Sequence, residues 1–228
     1  VEVVLAMRYG EPSILSGLQQ LSACDEIIVI PMYPQFANAT TQSTIDEVER
    51  CAQQLGITER LQWIRDFYHQ PGFAKAFASN ISTVLAKDPT AYLLMSYHGL
   101  PKSHLPSACH ARTCYQKNLP CEDHDGMAAC YRVQCFHSSR AIAAVLGLNK
   151  EDYGVSFQSR LGTNAWIQPY TDKVLQSLFE KGVRRLAVAC PAFVTDCIET
   201  LEEIEMELKE QWIEMGGESL SLIPCLND

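Results

Sequence analysis

The chain has 228 residues, a net charge of −9 and 47% hydrophobic residues. That size suits one large globular domain or two small ones with a real core, and the acidic balance argues against a nucleic-acid surface, which needs basic patches. No apolar run approaches the roughly 20 residues of a membrane-spanning helix, and ten cysteines in a chain this rich in core-forming residues do not read as a small secreted disulfide scaffold.

In chain order, the sequence opens on VEVVLAM (1–7), a strand-like run without a secretory leader pattern. An amphipathic stretch (12–23) leads to the strand-like EIIVIPM (26–32), a second one (44–55) to LQWIRDF (61–67), and a third (71–87) to AYLLMSY (91–97). After a polar segment come helix-like 137–147, strand-like YGVSFQS (153–159), helix-like 171–181, strand-like RLAVAC (185–190), helix-like 196–215 and strand-like SLSLIPC (219–225). Several strands are continuously apolar, as expected of strands covered on both faces. Such alternation predicts an α/β fold with parallel sheets and right-handed crossovers. Ligands in such folds sit beyond the carboxyl ends of the strands. The residues to read for chemistry are therefore Arg8 and Tyr9, Tyr33 to Gln35, His98 to Pro101, Arg160, and Pro191 to Cys197. No glycine-rich phosphate loop is present, so a nucleotide enzyme is not favoured.

Two segments suit proton or metal chemistry. His98 ends a buried strand, and Gly99 and Pro101 stop that strand and leave the imidazole accessible. An imidazole titrating near neutrality suits proton transfer. Downstream, Leu201, Ile204, Leu208, Trp212 and Met215 fall on one side of a helix, and acidic residues crowd the other. Glu199, Glu203 and Glu207 follow one another at i, i+4, i+8. Stacked like charges cost helix stability. Either this is a solvated acidic face, or the carboxylates hand a divalent cation along a path.

The segment CHARTCYQKNLPCEDHDGMAACYRVQC holds five cysteines, Cys109, Cys114, Cys121, Cys130 and Cys135. Cys24, Cys51, Cys190 and Cys225 lie in or beside apolar or helical sequence and read as small buried hydrophobes. The clustered thiols sit in polar, loop-rich sequence and fit a [2Fe–2S] cluster, a structural zinc or disulfides; their spacing does not choose among these. His104, His110 and His124 are alternative ligands there.

The motifs YPQFANATTQST, SYHGLP, YRVQC, FQSRLG, AWIQPYTD and CPAFVTDCIETLEEIEME occur in this order along the chain. Together they resemble the ferrochelatases. The resemblance implies a class II chelatase-like α/β fold with two Rossmann-like lobes and a porphyrin cleft between them. The first lobe would be incomplete here, because the family's N-terminal segment is expected ahead of Val1. Residues 1–66 would be the remainder of the first lobe. Residues 67–228 would form the second, with an insertion at about 105–130 and a final segment available to return to the first lobe.

The resemblance implies insertion of ferrous iron into a porphyrin, protoporphyrin IX foremost, with loss of two pyrrole protons. Coproporphyrin, another metal, or a non-catalytic haem-binding or iron-sensing module are the alternatives. His98 and Glu199 match the catalytic pair, and His98, Glu199, Glu203 and Glu207 the iron path. Arg8, Tyr9, Trp166 and Phe193 match cleft residues, Tyr33 lies in the YPQ loop, and Arg160 is a candidate for the porphyrin propionates. Asp196 fits the family pattern, whereas Cys197 stands where animal members carry histidine. The insertion resembles that of bacterial members holding a [2Fe–2S] cluster, which makes Cys109, Cys114, Cys121 and Cys130 its expected ligands, with structural zinc the alternative. A cytoplasmic protein able to touch the inner membrane peripherally would follow.

Overall fold

The structure is a computed structural model describing residues 1–105 and 130–227. It divides into two compact units, Val1–Phe67 and Tyr68–Asp228.

In the first unit, β1 (Ile27–Val29) and β2 (Leu61–Trp63) pair in parallel. Helices α1 (Ile14–Gln20) and α2 (Ser43–Leu55) supply Ile14, Leu18, Val48, Cys51 and Ala52 to a small core around Ile27 and Ile57. Helix α1 starts where the Ser13 hydroxyl accepts from the Ser16 amide at 3.2 Å. Helix α2 stops at Gly56, whose φ of 69° takes the left-handed turn that ends a helix without a Cβ clash.

The opening run VEVVLAM does not form the expected strand. Residues 1–6 have no ladder, and Met7 makes only an isolated bridge to Ser13. A strand exists only through hydrogen bonds to a neighbour, and among the described residues none lies alongside. Val1, Val3 and Leu5 are accordingly exposed, as are Ile28, Ile30 and Met32, alternate residues in and just after β1.

The second unit is built on a four-stranded parallel sheet of β3 (Tyr92–His98), β4 (Tyr153–Gln158), β5 (Arg185–Ala189) and β6 (Ser219–Leu222), in the order β4-β3-β5-β6. Helices α3 (Pro71–Leu85), α4 (Tyr131–Leu146) and α5 (Thr171–Glu180) connect or flank these strands. A last helical run, α6 (198–214), follows β5. Leu94, Leu186, Val188 and Leu220 of the sheet pack with Leu175, Leu178, Ile204, Leu208 and Trp212. From β3 the chain steps to β4 on one side, then to β5 on the other. The strand order therefore reverses between β3 and β5, and the crevice beyond their carboxyl ends is where an open parallel sheet takes its ligand.

Two sequence expectations need correction in this unit. Helix α4 starts at Tyr131, six residues before 137. Its first turn carries no apolar stripe because polar side chains are buried there with partners: the Tyr131 hydroxyl donates to His98 O (2.9 Å) and Arg132 Nε to Gln168 O (3.0 Å). Leu201 is exposed, although Ile204, Leu208 and Trp212 are buried as the periodicity predicted. In the final segment β6 is the parallel neighbour of β5, and Asn227 N donates to Val194 O (2.9 Å). Of the four cysteines read as small core residues, Cys51, Cys190 and Cys225 are buried and Cys24 is half-buried. Among the described residues no helix is long and apolar enough to cross a membrane.

Trp212 is fully buried and its indole N–H donates to Arg184 O at 3.1 Å. A Cβ at Gly217 would fall inside the space of that indole ring. Gly217→Ala should therefore destabilise the second unit by about 1–3 kcal/mol, as overpacking of a filled core does. Urea unfolding followed by tryptophan fluorescence measures it.

Candidate active site

His98 is the last residue of β3 and pairs in register with Gln158, the last residue of β4. The strands end together for a steric reason. Gly99 N donates to Gln158 O at 2.8 Å, and a Cβ at Gly99 would lie 2.7 Å from that oxygen and 3.2 Å from the Trp166 ring. Only glycine allows this approach. His98 Nδ1 lies 2.6 Å from Gly99 O. A carbonyl only accepts, so the contact holds a proton on Nδ1 and leaves Nε2 of the neutral ring with its lone pair. The Phe193 ring, from the loop after β5, stands 6.2 Å from the imidazole.

Helix α6 brings the carboxylates. It opens with Ile198–Thr200 in α geometry, widens to a π-helix over Leu201–Leu208 and closes with α-helical Lys209–Glu214. Four-residue steps on an α-helix of 3.6 residues per turn drift by about 40° each. The wider π turns reverse that drift, so Glu199, Glu203, Glu207 and Gln211 all line one cavity of 660 Å³. His98, Gln158, Ser159, Arg160 and Glu202 line it too. His98 and Glu199 thus meet in one cavity inside the second unit.

The start of α6 is anchored through Asp196. Burial works to raise its carboxyl, but hydrogen bonds from Asn227 Nδ2 (2.9 Å), the Cys225 amide (3.2 Å) and Thr200 Oγ1 (3.2 Å) prevail and hold it below its ordinary value. Cys197 caps the helix, with its amide donating to Thr200 Oγ1 at 3.0 Å. Burial, and then its hydrogen bond with Glu199, push the Cys197 thiol up to about 11. It is therefore a neutral S–H at physiological pH, a poor metal ligand in that state.

The other expected site residues are placed less uniformly. Arg160 Nη2 is paired with Asp172 Oδ2 at 2.7 Å, and its guanidinium lies 4.4 Å over the Tyr170 ring. Trp166 is largely buried and donates from Nε1 to Leu161 O (2.9 Å). In the first unit, Arg8 Nε donates to Ser43 O (3.0 Å) and its guanidinium lies 4.5 Å over the exposed Tyr9 ring. Tyr33 is half-buried, with its amide donating to Pro31 O (2.8 Å). Among the described residues, no group of three or more His, Cys, Asp or Glu side chains is arranged to hold a metal ion. Cys109, Cys114 and Cys121, with His110 and His124, lie outside the described residues. Cys130 is buried at the N-cap of α4, Cys135 is fully buried one turn on, and His104 is exposed.

The ferrochelatase family profile matches residues 1–228. The chain is 44% identical over 230 residues to a ferrochelatase of Ectopseudomonas mendocina, spanning 99% of this chain and 67% of that protein. A ferrochelatase of Coxiella burnetii is 43% identical over 230 residues, spanning 99% of this chain and 63% of that protein. The chain belongs to the ferrochelatase family. These are metal chelatases of the lyase class that insert iron into porphyrin to make haem. The chain spans about two thirds of the length of these ferrochelatase relatives. Among solved structures, SirB from Bacillus subtilis with Fe3+ matches with a TM-score of 0.66 at 12% identity, covering 98% of this chain and 75% of that one. That likeness supports the α/β chelatase fold.

Reading this ferrochelatase-family chain as sequence picked out His98 and the acidic helix but gave no role to Gln158 or Ser159. Both lie in the FQSRLG motif. Ser159 has a φ of 62°, left-handed for a residue other than glycine, and no pattern of residue types announces that. The half-buried, Glu199-bonded Cys197 thiol has a direct consequence. At pH 8 Cys197 should react with iodoacetamide roughly a hundredfold more slowly than an ordinary thiol, as a rise from 9.0 to about 11 requires. Its rate should go on rising above pH 10. Peptide mass spectrometry across a pH series checks this.

Proposed function

We propose that this chain carries the iron-insertion site of a ferrochelatase, with ferrous iron and a porphyrin, protoporphyrin IX foremost, as substrates. The observation that carries the reading is that His98 and Glu199 line one cavity at the carboxyl ends of β3 and β4. The reaction forms four iron–nitrogen bonds and releases two pyrrole protons. His98 Nε2, free to accept while Nδ1 is held by Gly99 O, takes one proton. The Glu199 carboxylate takes the other or passes iron to the ring, and Glu207 lies two helical steps farther along the same cavity. The Phe193 ring beside the imidazole suits contact with a flat apolar ligand. Arg8, Tyr9, Tyr33, Trp166 and Arg160 are assigned to porphyrin contact on the resemblance alone. A cytoplasmic location with peripheral contact to the inner membrane would suit a poorly soluble product.

The test is anaerobic ferrous-iron insertion into protoporphyrin IX by the intact protein, followed as loss of porphyrin fluorescence. His98→Ala or Glu199→Gln should lower kcat by about a hundredfold or more, the range of a lost proton-transfer group. Near-normal turnover in both variants would overturn the assignment.

The cysteine-rich segment is assigned a [2Fe–2S] cluster held by Cys109, Cys114, Cys121 and Cys130. Iron insertion involves no electron transfer, so the cluster's part is structural or iron-sensing. The position of Cys130 supports its choice: it sits at the N-cap of α4, at the end of the cysteine-rich segment and outside the helix body. Cys135 is fully buried within the same helix, with its backbone carbonyl accepting from Ser139 Oγ (3.0 Å), and reads as a core residue. Protein isolated without oxygen should be red-brown, with iron and acid-labile sulfide in equal amounts. Cys130→Ser should bleach it and Cys135→Ser should not. A colourless protein with stoichiometric zinc would replace the cluster by a zinc site.

A further inference from the structure

Gln158 is nearly fully buried, and every polar atom of its side chain is used. Nε2 donates to Glu199 O at 2.7 Å and to Glu203 Oε2 at 3.2 Å. Oε1 accepts from the Cys190 thiol at 3.6 Å. Burial pushes that thiol well above its ordinary value, so it remains an S–H donor. The amide's orientation follows from its partners: a carbonyl and a carboxylate accept, and a thiol donates. The next residue completes the contact. Ser159 N donates to Glu203 Oε1 at 2.7 Å, and Ser159 Oγ donates to Glu203 Oε2. Ser159 makes both bonds from the left-handed φ of 62°. Such a conformation is strained for a residue with a side chain and persists where surrounding contacts hold it.

Both oxygens of Glu203 are thereby occupied, by three donors from two consecutive residues at the end of β4. Glu199 and Glu207, one step to either side on the cavity face, are not held in this way by β4. The same clasp holds the backbone carbonyl of Glu199. Because Gln158 pairs in register with His98, one residue links the strand end that carries the imidazole to the helix that carries the carboxylate.

We propose that Gln158 and Ser159 are positioning residues that set Glu199 opposite His98 by clasping the π-helical segment, and that Glu203 is the anchor they hold rather than a ligand of the travelling iron. The inference rests on the function proposed above and reassigns one member of the acidic ladder. An iron ligand needs a carboxylate oxygen with an open lone-pair direction and pays for the loss of any hydrogen bond it gives up. Glu203 would have to release charge-assisted bonds that also hold the helix. Glu207 is exposed and gives up no such bonds to β4.

Three variants test this: Gln158→Met, which keeps volume and removes both donors; Ser159→Ala, which removes the hydroxyl only; and Glu203→Gln, which sets an amide NH₂ against Gln158 or Ser159 donors. Two readouts are needed. Hydrogen exchange of peptides covering 198–208 reports the clasp without reference to activity. It should speed up at least tenfold in Gln158→Met and Glu203→Gln and less in Ser159→Ala, with strands β3 and β5 unchanged. Steady-state kinetics with ferrous iron and protoporphyrin IX should show kcat reduced in the same order, at least tenfold in Gln158→Met, with the KM for iron within twofold of the unaltered protein. The double variant Gln158→Met/Glu203→Gln should be no worse than the poorer single one, since both break one unit.

A tenfold rise in the KM for iron in Glu203→Gln, with normal kinetics and exchange in Gln158→Met and Ser159→Ala, would make Glu203 an iron ligand and overturn the proposal. Unchanged exchange at 198–208 in all three variants would overturn it as well. Absence of iron insertion by the unaltered protein would instead count against the proposed function, while the exchange experiment would still decide whether the clasp holds the helix.

Discussion

The site depends on one piece of strand pairing: β3 and β4 ending side by side, with His98 opposite Gln158. Parallel pairing sends both chains out of the sheet at the same edge. Gly99 then lets the departing backbone of one strand press against the last carbonyl of the other. From that single contact the imidazole gains its hydrogen-bond acceptor at Gly99 O, and the β4 end gains a position from which a buried amide reaches α6. The space that these groups face lies beyond those two strand ends, against helix α6.

Helix α6 resolves a conflict between charge and geometry. A row of glutamates on one face repels itself, and an ordinary α-helix would wind that row around the axis. The π-helical stretch Leu201–Leu208 keeps the row on the cavity, while Ile204, Leu208 and Trp212 hold the opposite side in the core. Such a widened helix is seldom stable by its own hydrogen bonds and appears mostly at functional sites. Here the strain is borne by contacts outside the helix. Asp196 ties its start to the chain end at Cys225 and Asn227, and the β4 end grips Glu203 and the carbonyl of Glu199. The neutral Cys197 thiol beside Glu199 adds no charge to this crowded stretch.

The two units differ in how far they satisfy the demands of a parallel sheet, which is normally covered on both faces. In the second unit the central strands β3 and β5 are buried almost throughout. In the first, α1 and α2 cover one side of a two-stranded sheet, and Ile28, Ile30 and Met32 stand exposed on alternate positions, along with the opening Val1, Val3 and Leu5. The apolar character of these segments is that of interior strands, and the described chain covers them incompletely.

The sequence by itself determined the alternation of apolar strands and amphipathic helices, and with it the parallel α/β class, because burial period and length are local properties. It also marked His98, at the tip of a buried strand before Gly99, and Glu199 in the acidic helix, while the ordered motifs carried the family. Three things were decided only by tertiary structure. VEVVLAM has strand composition but no strand, because a ladder needs a neighbour. The first turn of α4 is helical without an apolar stripe, because Tyr131 and Arg132 find partners on distant carbonyls. The equal-looking glutamates of α6 separate into distinct surroundings, because Gln158 and Ser159, some 40 residues earlier, reach Glu203 and not its neighbours' carboxylates. Spacing along a helix tells which side chains share a face; which of them is already hydrogen-bonded depends on what the rest of the chain packs against that face.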